Sequence, residues 1–131
     1  MRILLDTHIW LWSLLEPERL GPRTRAAIDD PGHEKWLSPV SVWETLMLAE
    51  RGRLALEPDP ESWARVHLAL LPLREAPLTA EVAFASRRLR VDSTDPADRF
   101  LAASALVYDL TLVTADARLR EVDGVDVLPN P

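Results

Sequence analysis

The sequence predicts an α/β domain with a mostly parallel central sheet and helices on both faces. Short apolar segments of strand length alternate along the chain with helical segments of roughly 8–14 residues. The strand candidates contain short apolar runs, such as Leu112-Val113, which indicates burial on both faces of a parallel sheet. Of the 131 residues, 47% are hydrophobic and 27% are charged, as is typical of a folded protein with its own core. The length fits a single domain that covers residues 1–131.

The N-terminal half alternates strands and helices. Ile3-Leu4-Leu5 forms an apolar strand that ends at Asp6, and the pattern becomes helical after it. Pro22 and Pro39 mark the starts of two helices, because proline is favoured in the first helical turn. In order, the predicted elements are a strand at 2–6, helices at 8–15 and 22–30, a strand at 35–38, helices at 39–49 and 61–71, and a strand at 73–75.

The C-terminal half begins with two helices that have recognisable N-terminal caps. Thr79 caps the first helix, and Glu81 lies in its first turn, where the helix dipole favours an acidic side chain. Asp95 caps the second helix, and Pro96 occupies its first position. In order, the predicted elements are a helix at 80–89, a connector at 91–94, a helix at 96–108, a strand at 111–114, a helical turn at 115–121 and a strand at 125–128.

Charge and cysteine content exclude several classes of protein. The chain has no cysteine, which excludes a disulfide scaffold, a thiolate zinc site and a thiol nucleophile. Its net charge is −6, whereas proteins that bind DNA or membranes without specificity are usually basic. Residues 3–15 are the one candidate for a signal or membrane segment, but Asp6 and His8 interrupt the apolar run. We therefore expect a cytoplasmic protein with no membrane association.

Four acidic residues lie on or beside apolar elements that should converge. Asp6 and Asp116 follow two predicted strands, and the carboxyl ends of parallel strands share one edge of a sheet. Glu44 lies in an otherwise apolar helix, and Asp98 lies in the first turn of another. Each has a structural alternative. Asp6 and Asp116 could cap the helices that follow them. Asp98 could interact with the helix dipole or an arginine, and Glu44 could face solvent.

The combination of these four acids predicts a metal site. Clustered carboxylates repel one another and lose hydration, so they persist chiefly when a cation neutralises them. Ligands that are all oxygen favour Mg²⁺ or Mn²⁺ over zinc. Such an ion can activate water and stabilise the leaving oxygen of a phosphodiester. The sequence therefore predicts metal-dependent phosphoryl chemistry, in which Asp6, Glu44, Asp98 and Asp116 are the metal ligands and the catalytic residues.

These residues lie in four segments that resemble those of a known family. The segments are residues 4–8 (LLDTH), 38–44 (SPVSVWE), 95–99 (DPADR) and 112–116 (LVTAD). Over essentially its whole length the chain resembles the PIN-domain ribonucleases, specifically the VapC toxins of bacterial toxin–antitoxin pairs. Any one segment arises readily by chance, whereas all four in this order are specific.

The resemblance implies a function and a set of partners. It assigns the acidic site to Asp6, Glu44, Asp98 and Asp116, and it leaves Asp95 as the helix cap. It implies an Mg²⁺- or Mn²⁺-dependent endoribonuclease that a cognate VapB-like antitoxin holds inactive. It further implies a homodimer, with promoter DNA bound only through the antitoxin complex. Related toxins often have a histidine shortly before the Asp-Pro motif, where this chain has DST at 92–94, so substrate preference or rate could differ.

Other functions fit the residues less well. A response-regulator receiver would need a lysine beyond the last strands, yet Lys35 is the only lysine in the chain. A haloacid-dehalogenase-type phosphatase would have a second carboxylate where His8 stands. The remaining alternative is a catalytically idle PIN-like module that acts only by binding a protein partner.

Several polar and aromatic residues near the acids carry weaker expectations. Thr7 and Thr114 could orient a carboxylate or cap a turn. We expect His8 to pack or to form a local hydrogen bond, and Trp12 to lie at an antitoxin or dimer surface. Arg99 could balance the acidic cluster or contact phosphate. The arginines at 87, 88 and 90 are expected on a solvated helix face.

Overall fold

The computed structural model describes residues 1–131 and confirms the α/β class with a parallel sheet. The elements are β1 (Arg2–Leu5), α1 (Thr7–Leu15), α2 (Pro22–Asp29), β2 (Glu34–Leu37), α3 (Pro39–Glu50), α4 (Pro60–Leu70), β3 (Leu73–Glu75), α5 (Ala80–Arg88), α6 (Pro96–Val107), β4 (Thr111–Thr114) and β5 (Val127–Pro129). Short 3₁₀ turns lie at Pro17–Arg19 and Ala117–Leu119. None of the helices combines the length and the apolar character that crossing a membrane requires.

The sheet places the ends of β1 and β4 side by side. Its strand order is β3-β2-β1-β4-β5, and all four pairings are parallel. The chain adds β2 and β3 on one side of β1 and then returns to add β4 and β5 on the other side. The strand order therefore reverses between β1 and β4, and ligands of open α/β sheets bind in the crevice at the carboxyl ends of such strands.

Apolar side chains cover both faces of the sheet. Leu4 and Leu112 belong to the core formed with α5 and α6, whereas Leu5 and Val113 belong to the core formed with α1, α2 and α4. Successive strand residues point to opposite faces, so a strand that is covered on both sides must be apolar at every position. This requirement explains the consecutive apolar residues Ile3–Leu5 of β1 and Leu112-Val113 of β4.

The structure differs from the sequence prediction mainly at element ends. Most predicted bounds shift by one or two residues, and the helical turn expected at 115–121 is reduced to the 3₁₀ turn Ala117–Leu119. The last strand was placed two residues early, at 125–128. Val125 instead forms an isolated antiparallel bridge with Val122 across Gly124, whose φ of 80° glycine adopts readily. This tight turn delays the start of β5.

Candidate active site

One cleft at the carboxyl ends of the strands brings the four predicted acids together. Its volume is about 420 Å³. It is lined by Asp6, His8, Trp12, Arg19, Glu44, Asp95, Asp98, Ala115, Asp116 and Arg118. The acids come from four places in the fold: the end of β1, α3, the first turn of α6 and the end of β4. The convergence expected from the sequence is thus present in the structure.

Asp6 forms the buried part of the cleft. Its backbone N–H donates to the carbonyl of Val113 at 3.0 Å, which continues the pairing of β1 with β4 by one residue. Its Oδ2 accepts a hydrogen bond of 2.6 Å from the hydroxyl of Thr114. Burial raises the pKa of Asp6 to about 6, and the nearby carboxylate of Asp98 adds to this effect. Asp6 occupies the N-cap position of α1 but its side chain makes no capping hydrogen bond, so the capping alternative is wrong here.

Asp98 is the second buried acid. It lies in the first turn of α6, and its Oδ2 accepts a 2.6 Å hydrogen bond from the hydroxyl of Ser93. The same hydroxyl accepts from the backbone N–H of Asp95 at 3.2 Å, while Asp95 caps α6 by accepting from the N–H of Ala97. Burial raises the pKa of Asp98 above its ordinary value, despite the opposing hydrogen bond from Ser93. The connector before α6 thereby fixes the Asp98 carboxylate.

Asp116 lies nearer the solvent and has a cationic partner. Arg118 donates to both of its oxygens, from Nε to Oδ1 at 3.1 Å and from Nη2 to Oδ2 at 2.8 Å. The backbone N–H of Arg118 also donates to Oδ1, at 2.9 Å, so Asp116 does cap the 3₁₀ turn that follows it. The hydrogen bonds from the Arg118 side chain lower the pKa of Asp116 below its usual value.

Glu44 reaches the cleft from α3 and makes no hydrogen bond or ion pair there. Its side chain is partly exposed. Glu44 therefore both faces solvent and lines the acidic cleft, the two positions that the sequence allowed for it. A buried hydrogen bond of 2.9 Å from the Thr7 hydroxyl to the Ser41 hydroxyl joins α1 to α3 one turn before Glu44. This bond fixes the position of α3 beside the cleft, so Thr7 has a structural role.

The rim of the cleft carries an aromatic and cationic group. Arg19 stacks over Trp12, with its guanidinium carbon 4.0 Å from the ring centroid. His8 is exposed, and its ring centroid lies 5.9 Å from that of Trp12. His8 thus forms no hydrogen bond and lines the cleft beside the acids, with the ring of Trp12 as its aromatic neighbour. Cations and aromatic rings at such a rim suit an anionic ligand with flat rings.

Comparison with known proteins assigns the chain to a family. The sequence matches the PIN domain family over residues 3–125. The chain belongs to the PIN domain family. It is 35% identical over 119 residues to Ribonuclease VapC22 of Mycobacterium tuberculosis strain ATCC 25618 / H37Rv. The aligned region covers 90% of this chain and 89% of the relative. The resemblance stated from the four sequence segments is thereby confirmed.

Solved structures share the PIN fold over nearly the whole chain. VapBC2 from Rickettsia felis, bound to a DNA fragment from its promoter, has a TM-score of 0.73 at 14% identity and covers 100% of both chains. A toxin–antitoxin complex from Klebsiella pneumoniae has a TM-score of 0.66 at 16% identity and covers 96% of this chain and 95% of its own. VapBC-5 from Mycobacterium tuberculosis has a TM-score of 0.63 at 20% identity and covers 98% of both. At these identities the likeness concerns the fold.

The donor set of this PIN site fits a divalent cation in its chemistry. As the side chains stand, no group of three or more His, Asp or Glu has the arrangement of a ready metal-binding cluster. Mg²⁺ does not require one, because it keeps several waters and is usually held by one or two carboxylates. Asp6 and Asp98 supply buried oxygens and Glu44 supplies one without a protein partner, so the residues present fit such an ion.

Some residues of the site were not found from the sequence, and one was misassigned. Arg118, Arg19 and Ser93 were missed, although a serine two residues before a helix cap and an arginine two residues after Asp116 are local signals for such contacts. Arg99 was expected to face the acids or a phosphate, and that expectation was wrong. It donates to the carbonyls of Ser86 and Leu89 and so fastens the end of α5 to α6. The arginines at 87, 88 and 90 are exposed, as predicted, but α5 ends at Arg88 and leaves Arg90 outside the helix face.

Proposed function

We propose that this chain is an Mg²⁺- or Mn²⁺-dependent endoribonuclease of the toxin type. The observation that carries the proposal is the convergence of four carboxylates in one cleft where the strand order reverses, two of them buried. Burial raises the pKa of Asp6 and Asp98, so the ionised forms of these two acids would gain from a bound ion. Membership of the PIN family and the identity to a protein named a ribonuclease support RNA as the substrate.

The ion would be held by Asp6, Glu44, Asp98 and Asp116. When bound, it would supply the positive charge that stabilises a phosphodiester under attack and lowers the pKa of a water nucleophile. The hydroxyls of Thr114 and Ser93 hold Asp6 and Asp98 at fixed positions by hydrogen bonds of 2.6 Å each. Fixed carboxylates lose little conformational freedom on binding an ion, which favours affinity.

The rim residues would act on the RNA itself. Arg19 is exposed beside the acidic cleft and pairs with Glu16 at 3.2 Å, a solvated ion pair weak enough for a phosphate of the RNA backbone to replace. Trp12 and His8 offer ring surfaces next to it, and unpaired bases stack on such rings. An RNA segment with unstacked bases is therefore the substrate form that suits this cleft.

We further propose the partners that the relatives suggest. Proteins of similar fold have been solved as toxin–antitoxin complexes, one of them bound to a DNA fragment from its promoter. By analogy, a VapB-like antitoxin would inhibit this chain, and promoter DNA would be bound only through that complex. We propose that the protein works in the cytoplasm as a homodimer. Each subunit would be a single PIN domain that covers residues 1–131.

The test is cleavage of a panel of structured RNAs by the purified chain, free of antitoxin. Reactions with Mg²⁺, Mn²⁺ or EDTA are run for the wild type and for Asp6→Asn and Asp98→Asn. We expect cleavage only with metal and a loss of at least ~100-fold in rate for either substitution, because each removes a charged ligand. Asp123→Asn is the matched control, since Asp123 is exposed and lies outside the cleft.

The pattern of results separates the proposal from its alternative. Full activity of Asp123→Asn beside inactive cleft variants supports the nuclease. Intact RNA in every reaction with a folded wild-type chain would instead favour a module that acts only by binding a partner. Cleavage that survives EDTA and both cleft substitutions would reject the proposed site.

A further inference from the structure

Arg118 is the single cationic side chain that pairs with the acids of the cleft. Its Nη2 lies 3.3 Å from Oδ2 of Asp98 and 2.8 Å from Oδ2 of Asp116. Its Nε donates to the other oxygen of Asp116 at 3.1 Å. One guanidinium thus spans two carboxylates that come from α6 and from the end of β4.

These contacts engage oxygens that a metal ion would need. Both oxygens of Asp116 accept hydrogen bonds from Arg118, whereas Oδ2 of Asp98 accepts a hydrogen bond from Ser93 and forms an ion pair with Arg118. A carboxylate that is bound by a guanidinium fork has its lone pairs directed at the N–H groups. A divalent ion that binds these oxygens of Asp98 and Asp116 therefore competes with the guanidinium for lone pairs and is repelled by its positive charge.

We propose that Arg118 is a built-in competitor for the metal, which occupies Asp98 and Asp116 until a divalent ion displaces it. The proposal rests on the metal site of the proposed function and adds a residue to it. It predicts that the ion binds to a site from which the Arg118 side chain has moved away.

The position of Arg118 makes this displacement feasible. Its side chain is 53% exposed and lies at the mouth of the cleft, on the 3₁₀ turn Ala117–Leu119. A rotation about its side-chain bonds carries the guanidinium into solvent without a change of backbone. Solvated ion pairs are weak, so the divalent ion, with twice the charge, can replace it. A buried arginine in the same place would block the site permanently.

The experiment measures Mn²⁺ affinity by calorimetry and by the electron paramagnetic resonance signal of free Mn²⁺. The proteins are the wild type, Arg118→Ala, Arg118→Lys, and Arg120→Ala as the control. Arg120 lies two residues further along, is exposed, and does not pair with the acids. We expect Arg118→Ala to bind Mn²⁺ roughly 5- to 10-fold more tightly and Arg118→Lys roughly threefold more tightly, with Arg120→Ala within about twofold of the wild type.

The lysine variant separates competition from simple charge. Lysine keeps the positive charge but lacks the planar fork that binds both oxygens of Asp116. If Arg118 acted only through its charge, Arg118→Lys would bind Mn²⁺ as the wild type does, and that result would overturn the proposal. Unchanged affinity in both Arg118 variants would overturn it as well.

Thermal unfolding without RNA is a second measurement, and it also checks that the variants are folded. In EDTA, Arg118→Ala should melt slightly below the wild type because its acids lose their cation, and saturating Mn²⁺ should raise its Tm by more than that of the wild type. If the wild type binds Mn²⁺ and cleaves RNA, but the Arg118 variants bind Mn²⁺ with unchanged affinity, the inference about Arg118 is wrong and the proposed function stands. Absence of Mn²⁺ binding in every protein would defeat the proposed function too.

Discussion

Asp6 and Asp116 end neighbouring parallel strands, yet their surroundings differ. One hydroxyl joins them: Thr114 donates to Oδ2 of Asp6 at 2.6 Å and accepts from the backbone N–H of Asp116 at 3.0 Å. Asp6 is buried and forms no ion pair, and burial raises its pKa to about 6. Asp116 is partly exposed and is held by Arg118, so its pKa is lowered. The same residue type at equivalent strand ends thus resists ionisation in one case and favours it in the other.

This difference indicates which acid contributes more to the free energy of cation binding in the cleft. At neutral pH the Asp6 carboxylate is ionised against the cost of burial, and a divalent ion would remove that cost. Asp116 is already compensated by a guanidinium and gains less from an ion. The buried side of the cleft therefore supplies the driving force for metal binding, and the exposed side supplies the means of regulating it.

The largest expected effect comes from one substitution made at both strand ends. In EDTA at pH 8, Asp6→Asn should stabilise the protein by on the order of 2–3 kcal/mol, because it removes a buried uncompensated charge. Asp116→Asn should lower Tm by at most ~2 °C, because it loses only a solvated ion pair. Thermal unfolding of both variants, with Asp123→Asn as a control, shows whether the Tm rises for Asp6→Asn and falls for Asp116→Asn. Equal shifts at the two positions would erase the comparison.

The sequence was sufficient to locate both aspartates but could not distinguish their environments. Apolar runs before Asp6 and Asp116 place them at strand ends, and parallel pairing brings those ends to one edge of the sheet. The burial of each aspartate cannot be predicted in this way, because it depends on how α1, α3 and α6 pack around the cleft. No local pattern encodes that closure.

The contacts of the arginines were equally beyond sequence reasoning. Arg99 follows Asp98 directly and looks like its partner, yet a helix sends adjacent side chains in different directions. Arg99 reaches back to α5, and Arg118, which is twenty positions from Asp98 in sequence, takes the place beside it. Proximity along the chain therefore predicted the wrong cation.

A pH series sharpens the contrast between the two strand ends. Asp6 binds its proton more tightly in the folded chain, so its contribution to stability is complete below about pH 4 and is lost as the pH rises through about 6. Relative to Asp6→Asn, wild-type protein in EDTA should lose roughly 2 kcal/mol between pH 4 and 7. Urea unfolding at several pH values gives this difference directly.

Metal should reverse that trend, which provides an internal check. A bound ion needs the Asp6 carboxylate, so the rise in Tm caused by Mg²⁺ should grow as the pH increases through about 6. In Asp6→Asn the remaining metal effect should show no such step. A wild-type profile that runs parallel to that of Asp6→Asn, with and without Mg²⁺, would mean that Asp6 is ionised throughout the range.

The smallest effect tests the hydroxyl that connects the two aspartates. Thr114→Val keeps the shape of the buried side chain but removes the donor to Asp6 and leaves the N–H of Asp116 without its acceptor, so we expect a loss of about 1–2 kcal/mol at pH 8. It should also raise the pKa of Asp6 further, because the hydroxyl stabilises the ionised form. Thr114→Ser keeps the hydroxyl and should restore most of both properties. In the Asp6→Asn background the cost of Thr114→Val should shrink, since a neutral amide needs the donor less than a carboxylate does. If the cost is the same in both backgrounds, the hydroxyl serves the Asp116 turn alone, and the two strand ends act independently.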